Sequence, residues 1–167
     1  MLLRPVDSEA PPNNLALAME RKLRALLPGG EFPDVPAARM RIMSAIKGRG
    51  NRTTELRARA ILARAGLRGW STNVKLLRGK PDFFFPEHQV AIFVDGCYWH
   101  GCRRCGHIPK TNSIFWSAKL ARNRQRDRTV TRALRRAGIR VLRVWEHELR
   151  IPGRFLQRVT ALLDAQP

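Results

Sequence analysis

Three cysteines within nine residues constrain this chain more than any other feature of its sequence. Cys97, Cys102 and Cys105 follow a Cys-x4-Cys-x2-Cys pattern and are the only cysteines in the chain. The first residues, MLLRPVDSEAPPNN, lack the apolar segment and the small-residue cleavage site of a secretory signal. An odd and clustered set of cysteines in such a chain favours a metal site over disulfide bonds.

The cluster needs one more ligand, because tetrahedral zinc takes four nitrogen or sulfur atoms. His107 is the nearest candidate. His147 is the alternative, and because it lies beyond the predicted strand IRVLRVWE it would tie the loop to the central sheet. The spacing does not choose between them, and three reduced cysteines without a metal are a further alternative. Four protein ligands would leave no open coordination position, which predicts a structural zinc ion.

The charge of the chain indicates a polyanionic partner. Lys and Arg number 32 against 13 Asp and Glu, a net charge of +19. Nucleic acid is the usual partner, because each cation near a phosphate releases a condensed counterion. An arginine-rich scaffold is the alternative, since charge says nothing about catalysis. No segment approaches the roughly 18 apolar residues that span a bilayer, and we expect a cytoplasmic, nucleoid-associated protein.

The sequence predicts one domain after an N-terminal extension. Residues 1–38 are rich in proline and glycine and are expected to be poorly ordered, although LALAMERKLRALL could form a helix. Within residues 39–167 the patterns predict the helix ELRARAILARA ended by Gly66, the strands WSTNVKLL, PDFFF and QVAIFVDG, a helix over 113–137, the strand IRVLRVWE and the helix FLQRVTALLDA. A basic helix is predicted over 37–47. This order indicates an α/β fold with a mixed central sheet flanked by helices.

Four polar residues gather around the predicted hairpin of PDFFF and QVAIFVDG. Asp82 begins the first strand, Asp95 ends the second, His100 follows, and Glu55 begins the preceding helix. A hairpin brings both aspartates to one end of the sheet, where they could bind Mg²⁺ while a histidine orients water for phosphodiester hydrolysis. Each residue alone is more often a turn or loop residue, but their joint placement beside a metal cluster favours a nuclease.

Tyr98 and Trp99 are adjacent aromatic residues in a polar, basic loop. They suit insertion into a base stack, where the cost of unstacking is lowest at a mismatch. The alternative is that Trp99 packs beneath the zinc loop.

The run GKPDFFFPEHQVAIFVDGCYWHGC, with VWE downstream, is the most specific motif of the chain. Over residues 39 to about 150 the sequence resembles the very short patch repair endonucleases. The resemblance implies a restriction-endonuclease-like core with a structural zinc site. It implies an enzyme that nicks duplex DNA 5′ of the T in T:G mismatches left by deamination of 5-methylcytosine. It also implies a functional link to a cytosine-5 DNA methyltransferase and a repair polymerase, and we expect a monomer.

The resemblance implies roles for individual residues at the hairpin. Asp82 would be shared by two catalytic Mg²⁺ ions, and the backbone carbonyl of Val94 would be a further ligand. His100 would position or deprotonate the attacking water, and Glu55 would support the site through water. Asp95 stands where some members carry histidine, so it either binds metal or holds His100 by a hydrogen bond.

Three further sets follow from the same resemblance. The side chains that would intercalate beside the mismatch are Met43, Tyr98 and Trp99. The side chains that would read nearby bases from one face of the long helix are Lys119 and Asn123. The structural zinc ligands become Cys97, Cys102, Cys105 and His147.

Two other functions are compatible with the sequence. One is a restriction-type nuclease of the same fold with a different specificity, which would cleave matched and mismatched duplexes alike. The other is a non-catalytic zinc module that binds DNA through arginine and aromatic side chains.

Overall fold

The computed structural model describes residues 13–32, 53–72, 74 and 79–165. Within these ranges the α-helices are α1 (Asn13–Arg24), α2 (Glu55–Arg64), α3 (Ser113–Arg136) and α4 (Pro152–Asp164). The strands are β1 (Phe83–Phe85), β2 (Val90–Asp95) and β3 (Arg140–Trp145), and two 3-10 helices span Pro28–Gly30 and Glu146–Arg150.

The three strands form one mixed sheet in the order β1-β2-β3. β1 and β2 are antiparallel neighbours joined by a short turn, with Phe84 opposite Ala91. β2 and β3 are parallel, with Ile92 opposite Leu142. Parallel strands need a crossover connection, and α3 provides it between β2 and β3. The predicted mixed α/β architecture is therefore confirmed.

β2 is buried on both faces, in keeping with its continuous apolar sequence. All six of its residues are buried, and alternate side chains point to opposite sides of the sheet. Ile92 and Val94 join the core formed with α2 and α4, whereas Ala91 and Phe93 join the core formed with α3. The end of β2 is thus held from both sides, which makes it a rigid support for a site.

Glycines follow the ends of two helices, and the predicted end of one of them at Gly66 is confirmed. Gly66 follows α2 with a φ of 74°, and Gly138 follows α3 with a φ of 79°, a left-handed conformation that glycine adopts without steric cost. The helix predicted over 113–137 is confirmed as α3, and its buried side chains are Phe115, Trp116, Leu120, Val130 and Leu134.

One predicted element is only partly covered by the described residues, and another is not covered at all. In the strand predicted over 70–77, Ser71 forms an isolated antiparallel bridge with Phe84, and residues 73 and 75–77 lie outside the described part of the chain. The helix predicted over 37–47 also lies outside it.

The helix expected within LALAMERKLRALL is present as α1. Leu23 and Leu27 are buried in a cluster with Phe115 and Trp116 of α3, and Phe32 packs against the same cluster. In the parts of the chain that are described, no helix is long and apolar enough to cross a membrane.

Candidate functional site

The candidate active site lies where β1 begins and β2 ends. Because the two strands are antiparallel, these ends meet, and Asp82 Oδ2 accepts a 2.7 Å hydrogen bond from the Val94 backbone N–H. Asp95 is the last residue of β2 and is buried. Glu55, the first residue of α2, is close enough for its charge to act on Asp82. The hairpin therefore brings Asp82 and Asp95 together, and the start of α2 adds Glu55.

The electrostatics of Asp82 favour a nearby cation. Burial of the carboxyl group is the largest influence and, with the charges of Glu55 and Asp95, it raises the pKa of Asp82 to about 6, although the hydrogen bond from Val94 and the charge of Arg143 oppose this. Carboxylates crowded in a buried site destabilise each other's charge. Carboxylate oxygens are among the ligands that Mg²⁺ prefers, so the Asp82 carboxylate is of the type that binds this ion.

His100 is held by a network of charged side chains. Its Nδ1 atom lies 2.6 Å from Asp127 Oδ2 and 3.5 Å from Asp95 Oδ1. Arg143 donates two hydrogen bonds to Asp95 and lies 3.2 Å from Asp127. Burial opposes the ionisation of Asp127, but the hydrogen bond and charge of His100 and the charges of Arg143 and Arg126 together hold its pKa below its ordinary value. His100 is thus oriented by an ionised carboxylate.

Asp127 and Arg143 are the members of this network that were not predicted from the sequence. A signal for Asp127 was available, because it follows Lys119 and Asn123 at successive four-residue steps along α3 and so belongs to the same helix face. For Arg143 no local signal existed, since an arginine in a strand of an arginine-rich chain is unremarkable by composition.

The cysteine cluster brings four ligand atoms to metal-binding distances. The sulfur atoms of Cys97, Cys102 and Cys105 and one nitrogen of His147 lie within 4.8 Å of one another. His147 Nδ1 is 3.2 Å from Cys97 Sγ and 3.6 Å from Cys102 Sγ. A tetrahedral ion with Zn–S bonds of about 2.3 Å holds its ligand atoms roughly 3.5–3.8 Å apart. The soft donor set and its spacing therefore fit zinc.

Between the two candidate histidines, the structure places His147 with the cysteines. His107 lies beside Tyr98 instead, with ring centroids 5.6 Å apart. The Cys97 N–H also donates a 3.2 Å hydrogen bond to the Glu146 carboxylate, so the loop is attached twice to the segment that follows β3. Burial raises the pKa of Cys97 to about 12, and a bound cation is what would stabilise its thiolate.

Tyr98 and Trp99 are half-buried and pack against α3. Their ring centroids are 4.9 Å apart and lie 5.7 and 6.3 Å from that of Trp116. Asn123 Nδ2 donates a 2.8 Å hydrogen bond to the Trp99 carbonyl. Trp99 therefore has a packing partner in α3, and Asn123 holds the loop that carries it. Met43, the third predicted wedge residue, lies outside the described residues.

Lys119 lies one turn before Asn123 on the same face of α3. Its Nζ atom is 5.3 Å from the ring centroid of Phe115 and 5.7 Å from that of Trp116. The carboxylate of Glu20, from α1, lies 3.9 Å away. α1 thus reaches the helix face that was predicted to read DNA.

Comparison with known proteins identifies the family. The family model for DNA mismatch endonuclease Vsr matches residues 34–106. The type II nicking enzyme V.XorIIP of Xanthomonas oryzae pv. oryzae is 37% identical over 131 residues, which cover 77% of this chain and 94% of that protein. The DNA mismatch endonuclease Vsr of Escherichia coli K12 is 37% identical over 116 residues, covering 68% of this chain and 72% of that protein.

A third relative matches more strongly over a shorter region. The type II nicking enzyme V.NaeI of Lentzea aerocolonigenes is 58% identical over 69 residues, 41% of this chain, and the match spans 42% of that protein's length. The region matched by the family model contains the carboxylates at the hairpin, His100 and the three cysteines. The chain therefore belongs to the Vsr family of DNA endonucleases.

Proposed function

We propose that this protein nicks duplex DNA 5′ of the T in a T:G mismatch and so initiates very short patch repair. The observation that carries the proposal is the convergence of Asp82, Asp95 and His100 at one end of the sheet. Such mismatches arise by deamination of 5-methylcytosine. The proposal therefore includes a functional link to a cytosine-5 DNA methyltransferase and to a repair polymerase that extends the nicked strand.

The proposed chemistry is Mg²⁺-dependent hydrolysis of one phosphodiester bond. Two Mg²⁺ ions held by Asp82 and the Val94 carbonyl would stabilise charge on the scissile phosphate. His100 orients the attacking water and accepts its proton at Nε2, because Nδ1 is engaged with Asp127. Glu55 adds negative charge beside Asp82. The products are a 3′-hydroxyl and a 5′-phosphate.

The proposed recognition of the mismatch uses the loop between the two sites. Tyr98 and Trp99, together with Met43, would insert between base pairs at the mismatch, where unstacking costs least. Lys119 and Asn123 would contact nearby bases from α3. A structural zinc ion on the three cysteines and His147 would hold this loop in place, because zinc binding contributes directly to folding free energy.

A strand-specific nicking assay tests the proposal. We expect the protein in Mg²⁺ to cleave the labelled T strand of a T:G duplex and to leave the matched C:G duplex intact. Asp82→Asn is expected to lower the rate by about 10²–10⁴-fold, since several kcal/mol of charge stabilisation would be lost. Asp164→Asn, at the exposed end of α4, removes the same charge away from the site and should nick normally. An Asp82→Asn variant as active as wild type would refute the assignment.

A second candidate is a nicking enzyme with sequence-directed specificity. This candidate is supported by the relatives V.XorIIP and V.NaeI, because both are named as type II nicking enzymes. Equal nicking of T:G and C:G duplexes would support this candidate. Tight DNA binding without any cleavage would instead support a non-catalytic zinc module.

A further inference from the structure

Arg143 lies at the centre of the charged network beside His100. In the parallel pairing of β2 and β3, Phe93 stands opposite Arg143, so the side chains of Phe93, Asp95 and Arg143 share one face of the sheet. The guanidinium carbon lies 4.8 Å from the centroid of the Phe93 ring. Its Nε and Nη2 atoms donate hydrogen bonds of 2.7 and 2.5 Å to the two carboxylate oxygens of Asp95. Both oxygens of Asp95 are therefore engaged.

The two oxygens of Asp127 face different partners, and the exposed Arg126 is a more distant neighbour of Oδ1 at 3.7 Å. Oδ1 lies 3.2 Å from Arg143 Nη2, and Oδ2 lies 2.6 Å from His100 Nδ1. With one oxygen held by the guanidinium, the second is directed at the imidazole. The side chains of Asp95, His100, Asp127 and Arg143 are each at most 22% exposed, so the hydrogen bonds among them are poorly replaced by water.

A metal ion between these residues would compete directly with Arg143. Asp95, His100 and Asp127 offer ligand atoms within 4.8 Å of one another, a spacing that a metal could use. The planar guanidinium already gives Asp95 a two-point partner and Asp127 a positive charge, an arrangement for which arginine is specifically suited. A metal bound there would have to displace it.

We propose that Arg143 is a positioning residue. It binds both oxygens of Asp95, where a metal ion would otherwise bind. It also fixes Asp127, which in turn holds His100 in one orientation. This inference rests on the proposed role of His100 in nicking. It assigns Asp95 to the guanidinium, a third role beside the two that the sequence left open, and gives the close contact with His100 Nδ1 to Asp127 at 2.6 Å.

Steady-state nicking of a T:G duplex by three variants tests the positioning role. Arg143→Lys keeps the charge but loses the two-point geometry, and we expect kcat to fall about 10- to 100-fold, a loss typical when a hydrogen-bonded residue that orients a functional group is replaced, with KM for DNA within about 2-fold. The double variant D95N/R143Q removes both charges, so it avoids a buried unpaired carboxylate at Asp95, and should show the same loss. Asp95→Asn should lower kcat while leaving the half-saturating Mg²⁺ concentration unchanged.

Arg140→Lys is the matched control. Arg140 lies on the same strand as Arg143 and binds the carbonyls of His88 and Ala165 at the far end of the sheet. Its replacement removes an equivalent set of guanidinium hydrogen bonds without touching the network. We expect wild-type kcat and KM from this variant.

A spectroscopic readout separates positioning from general damage to the fold. A proton held between His100 Nδ1 and the half-buried Asp127 carboxylate is expected to exchange slowly enough with water to give a downfield proton resonance, assigned by its loss in His100→Gln. The chain has four histidines, so the spectrum is simple. Without DNA or Mg²⁺, we expect this resonance in wild type and R140K, and its loss or broadening in R143K and D95N/R143Q while the remaining spectrum stays that of a folded protein.

Several outcomes would overturn the inference. They are wild-type kcat for R143K or for the double variant, a change confined to KM, an unchanged His100 resonance in R143K, or a large rise in the Mg²⁺ requirement of D95N. If the wild-type protein fails to nick any T:G duplex, the proposed function fails, and the resonance still decides whether Arg143 orients His100.

Discussion

Gly106 shows how the cysteine cluster constrains a single residue. A Cβ atom added there would lie 2.5 Å from the Cys102 carbonyl oxygen and 3.2 Å from that of Cys97. These are backbone atoms of two candidate zinc ligands, so neither can move without shifting a sulfur atom. We expect Gly106→Ala to lower the free energy of unfolding by about 1–3 kcal/mol and Tm by about 3–10 °C.

Gly153→Ala provides the control for this prediction. Gly153 lies in α4, and a Cβ added there meets no atom within 4 Å. Alanine is the better helix former, so this variant should keep or slightly raise Tm. Thermal unfolding followed by circular dichroism, with zinc content measured by atomic absorption, checks both variants. Equal Tm values and equal zinc content for the two would contradict the constraint at Gly106.

At the scale of the elements, α3 and α1 together shape the predicted DNA-contacting face. α3 carries Lys119, Asn123 and Asp127 at four-residue steps, and these side chains therefore lie on one helix face. Asn123 binds the loop at the Trp99 carbonyl, Asp127 binds His100, and Lys119 belongs to the proposed base contacts. α1 packs Leu23 and Leu27 onto the start of α3. A segment outside the region matched by the family model therefore contacts the site's supporting helix.

Glu20 on α1 is expected to weaken DNA binding. Its carboxylate lies 3.9 Å from Lys119 Nζ and 3.5 Å from Arg122 Nη1, so it neutralises two cations on that face. Because exposed ion pairs contribute at most about 1 kcal/mol, we expect Glu20→Gln to tighten binding to duplex DNA by about 2- to 5-fold. Fluorescence anisotropy at fixed ionic strength measures this.

Glu31→Gln makes the same change in net charge and serves as the control. Glu31 is exposed and makes no ion pair with any residue that the structure describes. It should therefore tighten binding less than Glu20→Gln does. An equal effect from both variants would show that only net charge matters and that the contacts of Glu20 with α3 do not.

At the scale of the whole molecule, the net charge of +19 should dominate affinity but not mismatch preference. A protein that neutralises six to ten phosphates loses about 10³–10⁵-fold in affinity between 50 and 200 mM salt. We expect a loss of this order for both T:G and C:G duplexes, with a ratio of affinities that stays nearly constant. Binding measured with the Asp82→Asn variant avoids cleavage during the titration. A ratio that collapses with salt would show that recognition of the mismatch is electrostatic.

Local patterns in the sequence determined most of the fold and part of the site. The ends of α2 and α3 at glycines, the two-sided burial of β2 and the convergence of Asp82 with the end of β2 all follow from the conformations and spacing of neighbouring residues. Hairpin geometry needs only short-range information, because a turn of a few residues sets the register. The three cysteine ligands were also recognisable from short-range information, because they lie within nine residues of one another.

Contacts between distant segments were decided only by the tertiary structure. Spacing alone left His107 and His147 open, and the packing of the 3-10 helix after β3 against the loop placed His147 with the sulfur atoms. Arg143 meets Asp95 across 48 positions of sequence, and α1 reaches α3 across 102. Such contacts depend on how strands and helices pack together. The periodicity of one segment does not indicate which charged side chain of a distant segment will lie next to that segment.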